Sequence, residues 1–310
     1  LVVMVADKPS RILLVILVVV VIAAASGAAA YVYEVNKPKS PTPILTIQVG
    51  DNATVNYIGM FFGGAQSGRV FDTSFYSVAT SNISYPKSLE YQSRGPPSAY
   101  TVLPVFVGGN APSAGYTVGN LTFHPVVTGF WQGMVGMAGN ETRTISFPAA
   151  LGYGALNASC LGTAPLVYSV PVLTIVPASK FATVYPNVTA TVGTQFSDPS
   201  YGWNDTVFAV NSTSVTVQAL ATSGWVAHPN GLPFVVSNLN SSRITLSSQL
   251  TSASAGKVLG HAATGGLCGG SKFIVSAVDP AMGSYTENFN PEVVGQSLEF
   301  IVTVVDIFPG

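Results

Sequence analysis

HPVVTGFWQGMVGMAGNETRTISFPAALGYG, residues 124–154, is the stretch whose reading decides the fold. Its first half, His124 to Met137, holds three glycines, the adjacent aromatics Phe130 and Trp131, and two methionines. His124 is the one group there able to carry charge. Phe130 to Met137 reads as a short helix with its methionines on a buried face. TRTISF, residues 142–147, alternates polar and apolar side chains as a half-buried strand does. Either the segment is a core helix punctuated by loops, or it is the floor of a hydrophobic binding site.

The rest of the chain sets the context. Of 310 residues, 48% are apolar and only 8% charged, against about 25% charged in an average soluble domain. Such a chain can bury a large core. The net charge of −1 and the absence of a basic patch argue against a nucleic-acid partner. LTIQVG, ATVNYIGMF, TVFAVNSTSVTVQAL, RITLSS, KFIVSAV and LEFIVTVVDI are β-branched or aromatic runs bounded by Gly, Asn, Pro and Ser, so they read as strands. A second short helix is placed near Lys87–Gln92, and no repeat of 20–50 residues stands out.

Ile12 to Tyr33 is uncharged for 22 residues. A bilayer core of ~30 Å takes about 20 apolar helical residues, so this reads as a membrane anchor. Lys8 and Arg11 favour a cytoplasmic N-terminus. A cleaved signal peptide is the rival, since AAASGAAA resembles a cleavage site. NKPKSPTPIL, residues 36–45, is a proline-rich stalk. Nine Asn-x-Ser/Thr sequons, at Asn52, Asn82, Asn120, Asn140, Asn157, Asn187, Asn204, Asn211 and Asn240, are candidate glycosylation sites of an exported protein. Cys160 and Cys268 suggest a disulfide in an oxidising compartment, with two unpaired thiols as the alternative.

Familiar catalytic constellations are thin. His124, His228 and His261 lack metal-ligand spacing, and a surface role suits them. No G-x-S-x-G, H-E-x-x-H or P-loop occurs, and GGLCGG around Cys268 lacks the lysine of a phosphate loop. No cofactor is implied.

Four stretches in order change the picture. They are GDNATVNYIGMF (50–61), GRVFDTS (68–74), the opening stretch (124–154) and NPEVVGQSLEFIVTVVDI (290–307). Together they resemble the FKBP-type peptidyl-prolyl cis-trans isomerases. The resemblance is interrupted, because Tyr153 and Phe300 stand 147 residues apart. Subfamilies with an insert-in-flap chaperone domain carry a β-rich domain at this point, and VPASKF with the strands after it resembles the archaeal, membrane-anchored form. About Ala219 to Ser276 has no counterpart there.

The resemblance implies roles residue by residue. Tyr57 and Phe71 wall a proline pocket, and Asp72 sits at its edge, orienting Tyr57 or polarising the substrate carbonyl. Val126 and Val127 form the rim, with the Val127 amide binding a peptide carbonyl. Phe130 is the floor, Tyr153 offers its hydroxyl to the substrate backbone, and Phe300 closes the back. For Val126, Met134, Met137 and Ile145, ordinary core packing competes with a role in the site. The family often has Trp at the floor, where this chain has Phe130 followed by Trp131. Between Asp72 and Val126 lie 53 residues, well beyond the family norm, so Leu103, Val105 and Phe106 all compete for one further wall position.

The resulting expectation is a β-rich α+β fold: an FKBP-like antiparallel sheet wrapped on a short helix, an inserted β-rich domain and an N-terminal transmembrane helix. Residues 1–11 are cytoplasmic, 12–33 the anchor and 34–46 the linker. Residues 47–154 and 288–310 form the FKBP-like domain around the insert, 155–287. The function expected is peptidyl-prolyl isomerisation and chaperoning of exported proteins, with unfolded or proline-containing polypeptides as partners. The protein would be held in the cell membrane by a single span, its C-terminal domains extracellular. The alternative is a non-catalytic cell-envelope binding or structural protein on the same scaffold.

Overall fold

Period-two alternation on the first long strand builds the principal core. In β1 (Asn52–Phe61), Ala53, Val55, Tyr57 and Phe61 point to one face and are buried. Its neighbour β19 (Leu298–Phe308) pairs antiparallel along all ten β1 residues and adds Leu298, Phe300, Val302 and Val304 to that face. β2 (Val70–Thr73), β3 (Leu103–Phe106), β4 (Tyr116–Val118), β5 (Leu121–Pro125) and β6 (Thr142–Phe147) complete a seven-stranded sheet. Its order is β4-β5-β3-β1-β19-β6, with β2 on the flank of β1. The sheet is antiparallel except at β3–β5, which is parallel: β4 forms the outer edge and β5 returns between it and β3. The computed structural model describes residues 44–109, 115–262 and 265–310. The expected cytoplasmic tail, anchor and most of the linker lie outside them. Among the described residues no helix is long and apolar enough to cross a membrane.

Among the described residues three short α-helices accompany the sheets: α1 (Tyr76–Thr80), α2 (Thr128–Met134) and α3 (Ala178–Val184). α2 buries Gly129, Phe130 and Met134 against the first sheet. It begins two residues before the expected start and stops three before the expected end. Gly136 takes φ +80°, and its amide bonds the Ile47 carbonyl, so the helix closes on a left-handed residue. No helix forms at Lys87–Gln92. Lys87 bridges to Val70, the Ser88 amide bonds the Val70 carbonyl, and Leu89 and Glu90 form a turn. LTIQVG contributes only a bridge, Thr46 to Ala138, in place of a strand.

Residues 161–288 build three further four-stranded antiparallel sheets on one plan. The run LGTAPL-VYSVPV-LTIVPA, residues 161–178, contains β7 (Leu161–Pro165), β8 (Val167–Pro171) and β9 (Leu173–Pro177). Each joins a different sheet as its edge. β9 pairs with the meander β10 (Gln195–Ser197), β11 (Asn204–Val210), β12 (Ser214–Ala219). β8 pairs with β13 (Val226–Ala227), β14 (Phe234–Leu239), β15 (Arg243–Ser248). β7 pairs with β16 (Leu259–His261), β17 (Lys272–Asp279), β18 (Ser284–Asn288).

No repeat of 20–50 residues stands out in the sequence, yet the three sheets repeat one structural plan. The central strands all bulge after an equivalent valine, Val207, Val236 or Val275. Each of those carbonyls accepts from a left-handed glycine, Gly193, Gly224 or Gly256. The following turns are each tied by one side-chain oxygen, of Asn211, Asn240 or Asp279, which accepts two backbone amides. The prolines Pro165, Pro171 and Pro177 recur every six residues, on edge strands where a missing N–H is tolerated.

Strand makes up 41% and helix 14% of the described residues, which places them in the β-rich α+β class. One core lies under the first sheet, a second is shared by the sheets of β7 and β8, and a third joins the β9 sheet to α3. The two chain crossings at Gly154–Cys160 and Phe289–Gly295 are sewn together. Gly295 donates to the Gly154 carbonyl at 2.9 Å, and Asn290 exchanges two hydrogen bonds with the Asn157 backbone. Cys160 and Cys268 are joined in a disulfide across 108 residues.

Candidate active site

The aromatic side chains of the first sheet leave one face of their cluster open, and that opening is a cavity of about 380 Å³. Phe300 stands at its centre. Phe130 meets it edge-on at 4.8 Å, Phe71 edge-on at 5.5 Å, and Phe147 stacks behind it at 5.7 Å. Tyr57 completes the wall, 6.2 Å from Phe130 and 6.1 Å from Phe300. T-shaped contacts of this kind place ring edges on ring faces, the favoured aromatic geometry. Tyr57, Phe130 and Phe300 are buried, so their orientations are fixed by packing.

Close backbone approach makes this possible. A Cβ on Gly59 would stand 2.8 Å from both Phe300 and Phe71, so only glycine lets those rings meet across β1. A Cβ on Gly129 would lie 2.2 Å from Phe147, and one on Gly133 2.2 Å from Ile145. α2 therefore lies directly on β6, which sets Phe130 at the cavity floor. Val127 is the N-cap of α2 and carries no side-chain cap, while its carbonyl accepts from the Phe130 amide at 3.0 Å.

All eight residues singled out from the sequence line this one cavity: Tyr57, Phe71, Asp72, Val126, Val127, Phe130, Tyr153 and Phe300. Met134, Met137 and Ile145 are core residues beneath it, and Trp131 packs on the same core. Of the three rivals for the further wall, Leu103 lines the cavity. Pro125 and Arg94 line it too, and neither was foreseen. Arg94 had one signal: it is the one Asp, Glu, Lys or Arg between Glu90 and Glu141.

Arg94 completes a polar corner on an otherwise apolar site. Its Nη2 lies 2.7 and 2.8 Å from the two Asp72 carboxylate oxygens and donates also to the Tyr57 hydroxyl. Tyr57 in turn donates to Asp72 Oδ2 at 2.5 Å. Burial, and then the Asp72 charge, hold the Tyr57 phenol well above its ordinary range. Tyr153, half exposed at the mouth, is raised for the same two reasons. Both phenols thus keep their protons at neutral pH and act as donors.

The remaining sequence candidates lie elsewhere. His124, His228 and His261 are exposed, and His261 lies against Gly231, whose amide bonds the His228 carbonyl. Among the described residues no three His, Cys, Asp or Glu side chains gather as a metal-ion group. Asn82, Asn120, Asn140, Asn157, Asn187, Asn204, Asn211 and Asn240 are exposed. Asn52 is the exception: it is buried in β1, so the folded strand has no room for a glycan there. Compared with protein-family models and with curated proteins, the chain matches none.

Proposed function

We propose that this chain is an FKBP-type peptidyl-prolyl cis-trans isomerase carrying an inserted, triplicated β-rich chaperone region between residues 155 and 287. One observation carries the reading: eight residues at the family's pocket positions, drawn from four separate stretches, line a single cavity of about 380 Å³. That volume lies within the ~300–1,000 Å³ usual for small-ligand sites and suits a proline ring with its flanking peptide.

The chemistry follows from the bond. Rotation about an Xaa-Pro amide meets a barrier of ~18–20 kcal/mol, because planarity gives the C–N bond double-bond character. Uncatalysed exchange takes tens to hundreds of seconds. In the twisted transition state resonance is lost and the carbonyl is less polar than in the planar amide. A dry wall of Phe71, Phe130, Phe300 and Val126 favours that state over the planar one, by solvent exclusion and positioning. Tyr153 and the rim amides hold the flanking backbone. Asp72, held by Arg94 and Tyr57, presents fixed charge at the edge of the ring that rotates.

The insert supports a holding role. On the outer face of the β9 sheet, Ile175 is 71% and Phe208 53% exposed. At the equivalent positions the sister sheets carry Ser169 and Thr163, and Ser237 and Ser276. The fold therefore does not require apolar side chains there, and an exposed apolar face suits unfolded segments. Export and membrane anchoring belong to the same proposal, supported by the Cys160–Cys268 bond and eight exposed sequons.

The deciding experiment measures cis-to-trans exchange of a proline peptide with the purified chain. We expect acceleration proportional to protein concentration. A rate equal to that of buffer, with the protein shown to be folded, would leave the non-catalytic scaffold as the better description.

A further inference from the structure

The residues between Asp72 and Leu103 include a strap that delivers Arg94 to the cavity, and its anchoring is specific. At its start, Pro86 and Ser88 pair with Val70 on the β2 edge, at 2.8 and 2.9 Å. At its far end, the Arg94 amide donates to the Tyr100 hydroxyl at 2.9 Å. Between these points the strap is held by a residue from the other end of the chain. Glu292 Oε1 accepts from the Leu89 amide at 2.8 Å, and Oε2 accepts from the Glu90 amide at 3.1 Å. Glu292 is only 9% exposed. It lies in the segment that returns from β18 to β19.

We propose that Glu292 is a positioning residue for the candidate active site, acting through Arg94: its carboxylate clasps residues 89–90 and so fixes the reach of Arg94 to Asp72 and Tyr57. The proposal rests on the pocket assignment made above. Two successive backbone amides turned to one side need two acceptors, and a buried carboxylate supplies both. Such charge-assisted bonds are roughly twice as strong as neutral ones. Only three residues separate Glu90 from Arg94, so a strap released at Glu292 moves the guanidinium. The Gln66 side chain, 3.1 Å from the Leu89 amide, offers one alternative acceptor and leaves Glu90 without any. The segment after the insert thereby bears on the geometry of the site.

The test uses the full chain with Glu292→Ala, Glu292→Gln, Arg94→Ala and the double variant Glu292→Ala/Arg94→Ala, each checked for folding by thermal unfolding. The first readout is the NMR signal of the Arg94 guanidinium, assigned among the five arginines by Arg94→Lys. In the wild type its rotation is hindered by the bonds to Asp72 and Tyr57. In Glu292→Ala we expect the signal to shift to that of a freely rotating guanidinium. Glu292→Gln, which keeps one acceptor, should fall between. The second readout is proline-peptide exchange. Glu292→Ala is expected to slow it roughly 10-fold, the scale on which small displacements act at a positioned site. The double variant should be no slower than Arg94→Ala alone. An unchanged Arg94 signal in Glu292→Ala overturns the proposal whatever the rates do. So does a Glu292→Ala loss that recurs in full in the Arg94→Ala background, because Glu292 would then not act through Arg94. A wild type without exchange activity overturns the isomerase reading separately, and the guanidinium signal still decides the role of Glu292.

Discussion

Asp72 and Phe130 divide the work of the site at the residue scale, and substituting each should have a different signature. The Asp72 side chain is 42% exposed, so removing it disturbs little packing. Asp72→Ala frees Arg94 and removes the second cause of the raised Tyr57 phenol. Its titration should move down toward the ordinary range, stopping short of it because burial, the larger cause, persists. Exchange of a proline peptide is expected to fall roughly 10-fold with little change in unfolding temperature, since general positioning effects operate on that scale. Phe130, 2% exposed, is both floor and core. Phe130→Ala should cost about 3–5 kcal/mol of stability and bring exchange to the buffer rate. If Asp72→Ala leaves exchange untouched, the polar corner is ornamental to catalysis. These residues were legible in the sequence because they fall in short, contiguous motifs. Arg94 was not, because it reaches the site on a strap whose path depends on contacts with Val70, Tyr100 and Glu292, none of them near it in sequence order except Tyr100.

At the scale of elements, strands were read well and helices poorly, for a physical reason. Period-two alternation in β6 and β19 survives in the sequence because each has one buried face, whereas β1 is buried on both and reads as a nearly continuous apolar run after Asn56. The helices have five to seven residues, too few for a 3.6-residue period to declare itself. α2 is bounded by its glycines and by the left-handed Gly136, and α1 falls in a segment with almost no apolar pattern. The sheet of β9 carries the prediction proper to this scale. Ile175→Ser with Phe208→Ser copies the β8 sheet, which has Ser169 and Ser237 at those positions, and differs from the β7 sheet only at Thr163. The variant should fold as the wild type does and isomerise short peptides at the same rate. Its suppression of aggregation by an unfolded client protein should drop several-fold. Undiminished suppression would move the holding surface away from this sheet.

At the scale of the whole molecule, the hexapeptide run 161–178 is the organising device, and it was visible but unread. Its prolines fall at a period of six, shorter than the 20–50 residues at which repeats are usually sought. The meanders it serves share only a valine, a glycine and a turn acceptor at equivalent places, so their likeness lies in backbone hydrogen bonds more than in side chains. The same assembly buries carboxylates that set its response to pH. Asp205, 2% exposed in β11, has an Oδ1 without a hydrogen-bond partner. Burial, then the nearby charge of Asp198, push its carboxyl up to about 7, against ~3.9 in an unfolded chain. A folded-state value above the unfolded one means that the folded form holds its proton more tightly. The contribution to stability is then complete below about pH 4 and is lost as pH rises through about 7. Glu90 and Glu287 shift the same way, chiefly by burial, while Glu141 is lowered by the Ala138 amide and Arg143 and opposes them from an exposed position. The unfolding temperature should therefore decline between pH 4 and 8. Asp205→Asn, which keeps the shape and removes the titration, should flatten that decline. A variant curve running parallel to the wild type would assign the pH dependence to the other carboxylates, Glu90 and Glu287 first.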